Sequence, residues 1–188
     1  MSKRLTCLLI FLLTLLINNA FSFVPLFEGR IDFEVGNFPQ SVFSIDLNGD
    51  GYNDLVTANR NSDHISILLN NGDGSFQAAT NYSVWYAPTS VFSIDLDGDG
   101  DNDLAVAKES PSKVSILFNN GDGTFQTPPI NYGAGNGPIS VFSIDLDGDG
   151  SNDLAVANVN SDNVSILLNN GNGTFQLAVN YDAGIVPV

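Results

Sequence analysis

An acidic ladder occurs three times in this chain and constrains its fold more than any other feature. The copies are Asp46-Leu-Asn48-Gly-Asp50-Gly-Tyr52-Asn-Asp54, Asp95-Leu-Asp97-Gly-Asp99-Gly-Asp101-Asn-Asp103 and Asp145-Leu-Asp147-Gly-Asp149-Gly-Ser151-Asn-Asp153. They lie 49 and then 50 residues apart, and repetition at such a period marks an architecture of stacked units. Each unit carries the same short apolar runs. In the third they are Val141–Leu146, Asp153–Ala157, Val164–Leu168 and Phe175–Tyr181, parted by Gly, Asn and Asp turn signals such as Asn170-Gly-Asn-Gly-Thr174. Four such runs, A to D, read as a four-stranded antiparallel meander.

A lone four-stranded sheet has two faces and buries neither fully. Stacking several sheets around an axis buries both, so the pattern predicts an all-β chain of propeller-type blades, with strand A innermost and strand D outermost. The expected division is a leader at 1–22, a spare outer-strand half-repeat at 23–40, and repeats at 41–89, 90–139 and 140–188. Propellers carry about 4–8 blades, so three do not close a ring. A piece of a longer array or an open arc is expected ahead of self-association, in which two chains would complete the propeller.

The first residues read as a secretory signal: Lys3 and Arg4, an apolar stretch from Leu5 to Ile17, then Ala20-Phe21-Ser22 with small residues at the cleavage positions. The apolar stretch is short for a membrane span, which needs about 20 residues; an uncleaved anchor is the alternative. The only cysteine, Cys7, lies in this leader, so no disulfide can staple the repeats. The chain carries 21 acidic against 6 basic residues, and cleavage would remove two of the basic ones. Such a charge disfavours nucleic acid and anionic membranes, and no membrane span is expected after cleavage. A hydrophobic content of 43% argues against acidic disorder.

Positions 1, 3, 5 and 9 of each ladder hold side-chain oxygens and position 6 is Gly, which is the ligand spacing of a calcium loop. One Ca²⁺ per repeat is therefore expected. The candidate ligands are Asp46, Asn48, Asp50 and Asp54; Asp95, Asp97, Asp99 and Asp103; and Asp145, Asp147, Asp149 and Asp153. The position-7 carbonyls of Tyr52, Asp101 and Ser151 join them. Bare Asp/Gly turns are the alternative, but they would leave carboxylates converging with no cation near. An EF-hand or dockerin does not fit, since position 12 holds Thr57, Val106 or Val156 instead of Glu, and strands flank the loop. Without that bidentate Glu, affinities on the order of 0.1–1 mM are expected, the first site being weakest. Gly72-Asp-Gly74, Gly121-Asp-Gly123 and Gly171-Asn-Gly173 read as C–D turns.

The ladder, the following Asp-Leu-Ala-Val-Ala, the Val-Ser-Ile-Leu strand and the Asn-Gly-Asp-Gly-Thr-Phe turn together resemble the FG-GAP/VCBS repeat of integrin alpha-subunit propellers and of many secreted proteins. Tyr132-Gly-Ala-Gly135 with Pro138 is only similar to the Phe-Gly and Gly-Ala-Pro signatures, so the integrin branch itself is not implied. The resemblance implies a calcium-dependent propeller used for extracellular recognition or adhesion.

An up-and-down meander sends the A–B loops and C–D turns to one rim and the B–C and D–A loops to the other. Arg60, Lys108 and Lys113 read as lying in B–C loops, as does His64; Arg60, His64 and Lys113, with Trp85 and Tyr86 in a D–A segment, are the candidate contacts to a partner, an extracellular protein or glycan. Ordinary solvated loops are the alternative. Catalysis is not expected, because the clustered acids are committed to metal and no carboxyl stands isolated in apolar surroundings. A calcium-dependent lectin, or an accessory propeller domain of a carbohydrate-active enzyme, is the second reading.

Overall fold

The computed structural model describes residues 31–184. Among them are twelve strands in three four-stranded antiparallel sheets, and no helix. Blade 1 comprises β1 (Pro39–Ile45), β2 (Asp54–Asn59), β3 (His64–Leu68) and β4 (Thr80–Ser83). Blade 2 comprises β5 (Pro88–Ile94), β6 (Asp103–Lys108), β7 (Lys113–Leu117) and β8 (Ile130–Gly133). Blade 3 comprises β9 (Pro138–Ile144), β10 (Asp153–Asn158), β11 (Asn163–Leu167) and β12 (Val179–Asp182). Each sheet runs in chain order, so the all-β, propeller-blade reading holds. The blades fall in a compact unit that starts at Phe33. The leader expected at 1–22 lies outside the described residues.

Apolar side chains from facing blades form the core. At the first junction Leu47, Val56, Ile65 and Ile67 of blade 1 meet Val91, Leu104, Val106, Leu117 and Phe125 of blade 2. At the second, Leu96, Val114 and Ile116 of blade 2 meet Val141, Leu154, Val156, Leu167 and Phe175 of blade 3. Burying one such Leu or Ile is worth about 1.5–3 kcal/mol, so these junctions dominate stability. The A strands lie side by side as expected, and their phenylalanines stack in a column. Ring centroids of Phe43 and Phe92, and of Phe92 and Phe142, are each 4.8 Å apart. Polar rungs repeat beside them: Val91 N donates to Ser41 Oγ and Val141 N to Ser90 Oγ, both at 3.3 Å.

Strand D departs from the uninterrupted run expected at Phe175–Tyr181. Phe175 makes only an isolated bridge with Asn169, and the regular strand begins at Val179. Gln176 N bonds Leu168 O, whereas Val179 pairs with Ile166, so strand D holds one residue more than its partner over this interval. The extra residue is a bulge that turns Leu177 to solvent, 93% exposed. Residues 31–36, within the expected spare outer strand, form no ladder, though Phe33 packs edge-on against Phe76 at 5.1 Å. Tyr82 meets Phe125, and Tyr132 meets Phe175, in the same manner at 5.5 and 5.2 Å.

Candidate metal centre

Each acidic loop joins strand A to strand B and is wound by its own carboxylates. The first Asp receives two backbone amides. Asp95 Oδ1 accepts from Gly98 N at 2.7 Å and Oδ2 from Gly100 N at 3.0 Å, and Asp145 does the same with Gly148 and Gly150. Asp97 Oδ1 accepts from Asp99 N, and Asp99 Oδ1 from Asp101 N, which curls the chain and turns the position-3 and position-5 carboxylates inward. Gly100 and Gly150 have φ of 96° and 91°, where a side chain would strain the backbone.

The loops thus bring together positions 1, 3 and 5. Ligand oxygens of Asp95, Asp97 and Asp99 all lie within 4.8 Å of one another, as do those of Asp145, Asp147 and Asp149. Three hard carboxylates at this spacing suit a calcium ion. Among the described residues the ion pair present, Arg60 with Glu109, is not at these loops. Burial, with repulsion from Asp99 and Asp95, pushes the Asp97 carboxyl above its usual range, the expected response of an acid gathered with like charges and no cation.

In blade 1 the third position is Asn48. Its Nδ2 donates to Asp50 Oδ2 at 3.0 Å, so part of the charge that a metal would neutralise is already compensated within the loop. Asn48→Asp removes that donor and adds a carboxylate. The expected result is about tenfold tighter binding at site one, read by titration calorimetry. Unchanged or weaker binding would show that Asn48 is not a ligand position.

The ninth Asp is placed differently from the other three. Asp54, Asp103 and Asp153 are fully buried at the first residue of strand B. Asp103 Oδ2 accepts from Leu96 N and Oδ1 from Asn119 N, both at 2.9 Å, and the other two blades repeat the arrangement. One carboxylate therefore ties the start of the acidic loop to the end of strand C while standing beside the other acids. Burial pushes the Asp103 carboxyl up to about 7, against the backbone amides that lower it, and raises Asp54 as well.

A folded-state pKa above the unfolded one stabilises the fold at low pH and ceases to do so as pH rises through the folded value. In chelator, stability should accordingly decline from about pH 4 to pH 7. The ionised form adds negative charge beside the ligand carboxylates, so calcium affinity should rise over the same window. Melting curves at pH 5 and pH 8, with chelator and with calcium, check both signs.

Sequence reasoning missed the asparagines that brace the loops. Asn102 Nδ2 donates to Asp46 O at 2.9 Å and Asn119 Nδ2 to Leu47 O at 2.7 Å, across the first junction. Asn152 and Asn169 do the same to Asp95 O and Leu96 O across the second. Their signal was available, since Asn occupies position 8 of every ladder and opens every C–D turn. Those turns are closed by local polar chemistry: Asp73, Asp122 and Asn172 each accept from the Ser or Thr two residues on. The third copy does this without a carboxylate.

On the opposite rim the structure gathers Arg60 and the Trp85-Tyr86 segment around Asp63 and Glu109. Asp63 O accepts from Trp85 N, and its Oδ1 accepts from Ala87 N at 2.8 Å. Glu109 N donates to Ala87 O, and its carboxylate pairs with Arg60. Arg60 is thereby engaged between blades. His64, half-buried, lies with Nδ1 3.2 Å from Asn59 Nδ2. Lys113 is half-buried at the start of β7, paired across the ladder with Lys108. Lys108 itself is buried in β6, not in the loop, and donates to Val84 O and Asn131 Oδ1. Burial, then the charge of Lys113, pushes its ammonium down to about 8. Trp85 and Tyr86 are 47% and 60% exposed, and with Ala87 they have φ of 51°, 61° and 47°.

The acidic loops, their strands and the turns match the FG-GAP-like repeat family model three times, over residues 46–106, 95–156 and 145–187. The chain belongs to the FG-GAP-like repeat family. No curated protein gives a match. Among solved structures it is similar to an Agrocybe aegerita lectin that recognises non-reducing terminal N-acetylglucosamine, at 26% identity and TM-score 0.48, over 74% of this chain and 37% of that one. It is similar to BBS1N, solved in complex with ARL6DN, at 20% identity and TM-score 0.55, over 81% and 47%. A third likeness is to the Photorhabdus luminescens Tc holotoxin pore, at 24% identity and TM-score 0.46, over 78% and 7%. The chain spans less than half the length of each. The BBS1N likeness supports the propeller-type fold of this FG-GAP-like protein. No helix among its described residues is long and apolar enough to cross a membrane.

Proposed function

We propose that this FG-GAP-like protein is a secreted, calcium-binding recognition module of the extracellular space that catalyses nothing. The observation that carries the metal is the convergence of three carboxylates within 4.8 Å in both blade 2 and blade 3. Positions 1, 3 and 5 would hold the ion, and the buried ninth Asp would fix the loop beneath it. Bound calcium supplies charge neutralisation and rigidity to loops that otherwise repel themselves. Calorimetric titration with calcium tests this, and the absence of any calcium-dependent heat would overturn it. Secretion accords with the signal-like leader and with a family that is typically extracellular.

A glycan ligand is the second reading, and the Trp85-Tyr86-Ala87 loop is what favours it. Non-glycine residues in the left-handed region each cost of order 1–3 kcal/mol, and such strain is kept where a site requires it. Here Trp85 and Tyr86 bear it while exposing two aromatic rings of the kind that stack on sugar faces, whereas the positive φ of Ala87 is shared by Phe38 and Gly137 ahead of the other A strands. Replacing Trp85 and Tyr86 by Ala should abolish binding on a glycan array and leave the calcium titration unchanged. Binding that survives both substitutions would remove this surface from the reading.

A further inference from the structure

The two ends of the blade stack are halves of the same joint. On blade 3, Phe142, Ile144 and Leu146 are 51%, 50% and 46% exposed. Their counterparts in the earlier blades, Phe43, Ile45 and Leu47 and then Phe92, Ile94 and Leu96, are packed into the junctions. On blade 1, Val42 is 63% exposed, whereas its counterparts Val91 and Val141 are 3% and 4% exposed.

The polar rungs are left open in the same complementary way. Each junction uses a Ser Oγ, an Asp carbonyl and a Leu carbonyl on the earlier blade, and a Val amide and two Asn side chains on the later one. Blade 3 presents the acceptors, Ser140 Oγ, Asp145 O and Leu146 O. Blade 1 presents the donors, Val42 N, Asn53 Nδ2 and Asn70 Nδ2. Asn70 Nδ2 is already on Asn53 O, as Asn119 Nδ2 is on Asn102 O, and an amide nitrogen has a second hydrogen to give.

We propose that the tail face of blade 3 receives the head face of blade 1 of a second copy of this chain, and that two copies close head to tail into one ring. The joint is heterologous, so its closure depends on rotation per blade, and twice three blades falls within the range of closed propellers. Phe142 of one copy continues the phenylalanine column onto Phe43 of the other. Phe33 already occupies, against Phe76, the seat that Tyr82 and Tyr132 take at the two junctions. Ile31-Asp32-Phe33-Glu34 matches Val179-Asn180-Tyr181-Asp182 in pattern. In the ring it replaces β12 of the second copy, which is exposed throughout, as the fourth strand of the closing blade.

The test is the mass of the full chain in solution by sedimentation or light scattering, with two single variants. The expected mass is twice the 20.0 kDa of one chain. Val42→Glu on the head and Ile144→Glu on the tail alter exposed residues outside the phenylalanine column, so each variant should fold, checked by circular dichroism, and sediment as one chain. Mixing the two variants should restore the two-chain species, because one sound head then meets one sound tail. A wild-type chain that stays at the one-chain mass at every concentration overturns the proposal, as it would if these faces were built for further repeats of a longer polypeptide. A ladder of larger masses overturns closure at two copies. Variants that still sediment as two chains place the interface elsewhere and overturn it too.

Discussion

Transfer from about 10 mM calcium into chelator is expected to lower the melting temperature of this protein by on the order of 10–30 °C. At affinities on the order of 0.1–1 mM, each site contributes roughly 1.4–2.7 kcal/mol at that concentration, and three sites about 4–8 kcal/mol. A chain of this size shifts by roughly 2–4 °C per kcal/mol. The effect is large because bound calcium neutralises carboxylates that otherwise repel one another within each loop. No disulfide is possible among the repeats, and the carboxylates of Asp95, Asp97 and Asp99 crowd one another. Differential scanning calorimetry decides the matter, and equal melting temperatures in the two solutions would sink the calcium assignment.

The second large effect separates two roles within a single loop. Asp103→Ala removes the acceptor of two buried amides, Leu96 N and Asn119 N, in the blade packed on both sides. Each buried donor left without a partner costs about 1–3 kcal/mol, so a loss of roughly 4 kcal/mol is expected even in chelator. Asp97→Ala changes a half-buried side chain whose hydrogen bonds run only to Asp99, within the loop. It should change stability in chelator by less than about 0.5 kcal/mol while removing calcium binding at site two. Urea unfolding of both variants with and without calcium gives the comparison. If Asp97→Ala were as damaging as Asp103→Ala in chelator, the loop would be held by its carboxylates in a way its hydrogen bonds do not indicate.

Much of this arrangement is legible in the chain because the repeat prints each element three times. Strands A, B and C carry short apolar runs bounded by turn residues, and the ladder places three oxygens that the folded loop does bring together. Strand D is less legible because a bulge inserts a residue that pattern reading counts as strand, as at Leu177. The role of the ninth Asp is illegible for a different reason. Spacing groups it with the other acids, whereas burial gives Asp103 two backbone donors that no spacing reveals. Lys108 misleads in the same way: charge suggests a loop, but its stem fills the blade interior and its ammonium finds carbonyl oxygens. The asparagine braces were visible as repeated letters, yet they act between blades, at a range that reading within one unit cannot reach.

Those braces also give the stack a direction of failure. Every brace runs from a later blade back to the loop of the blade before it, so Asp46 and Leu47 are clamped by blade 2, and Asp95 and Leu96 by blade 3. Among the described residues no later blade braces the loop at Asp145. With all the calcium sites empty, that loop is expected to lose its order first, and its loosening releases the Asn152 brace that helps keep the Asp95 loop in shape. Disassembly then travels toward the amino-terminal blade one unit at a time, as in other linear arrays. A protease added in chelator is expected to cut first after Ile144 and last after Ile45. The direction of that failure is set by which way the asparagine amides point.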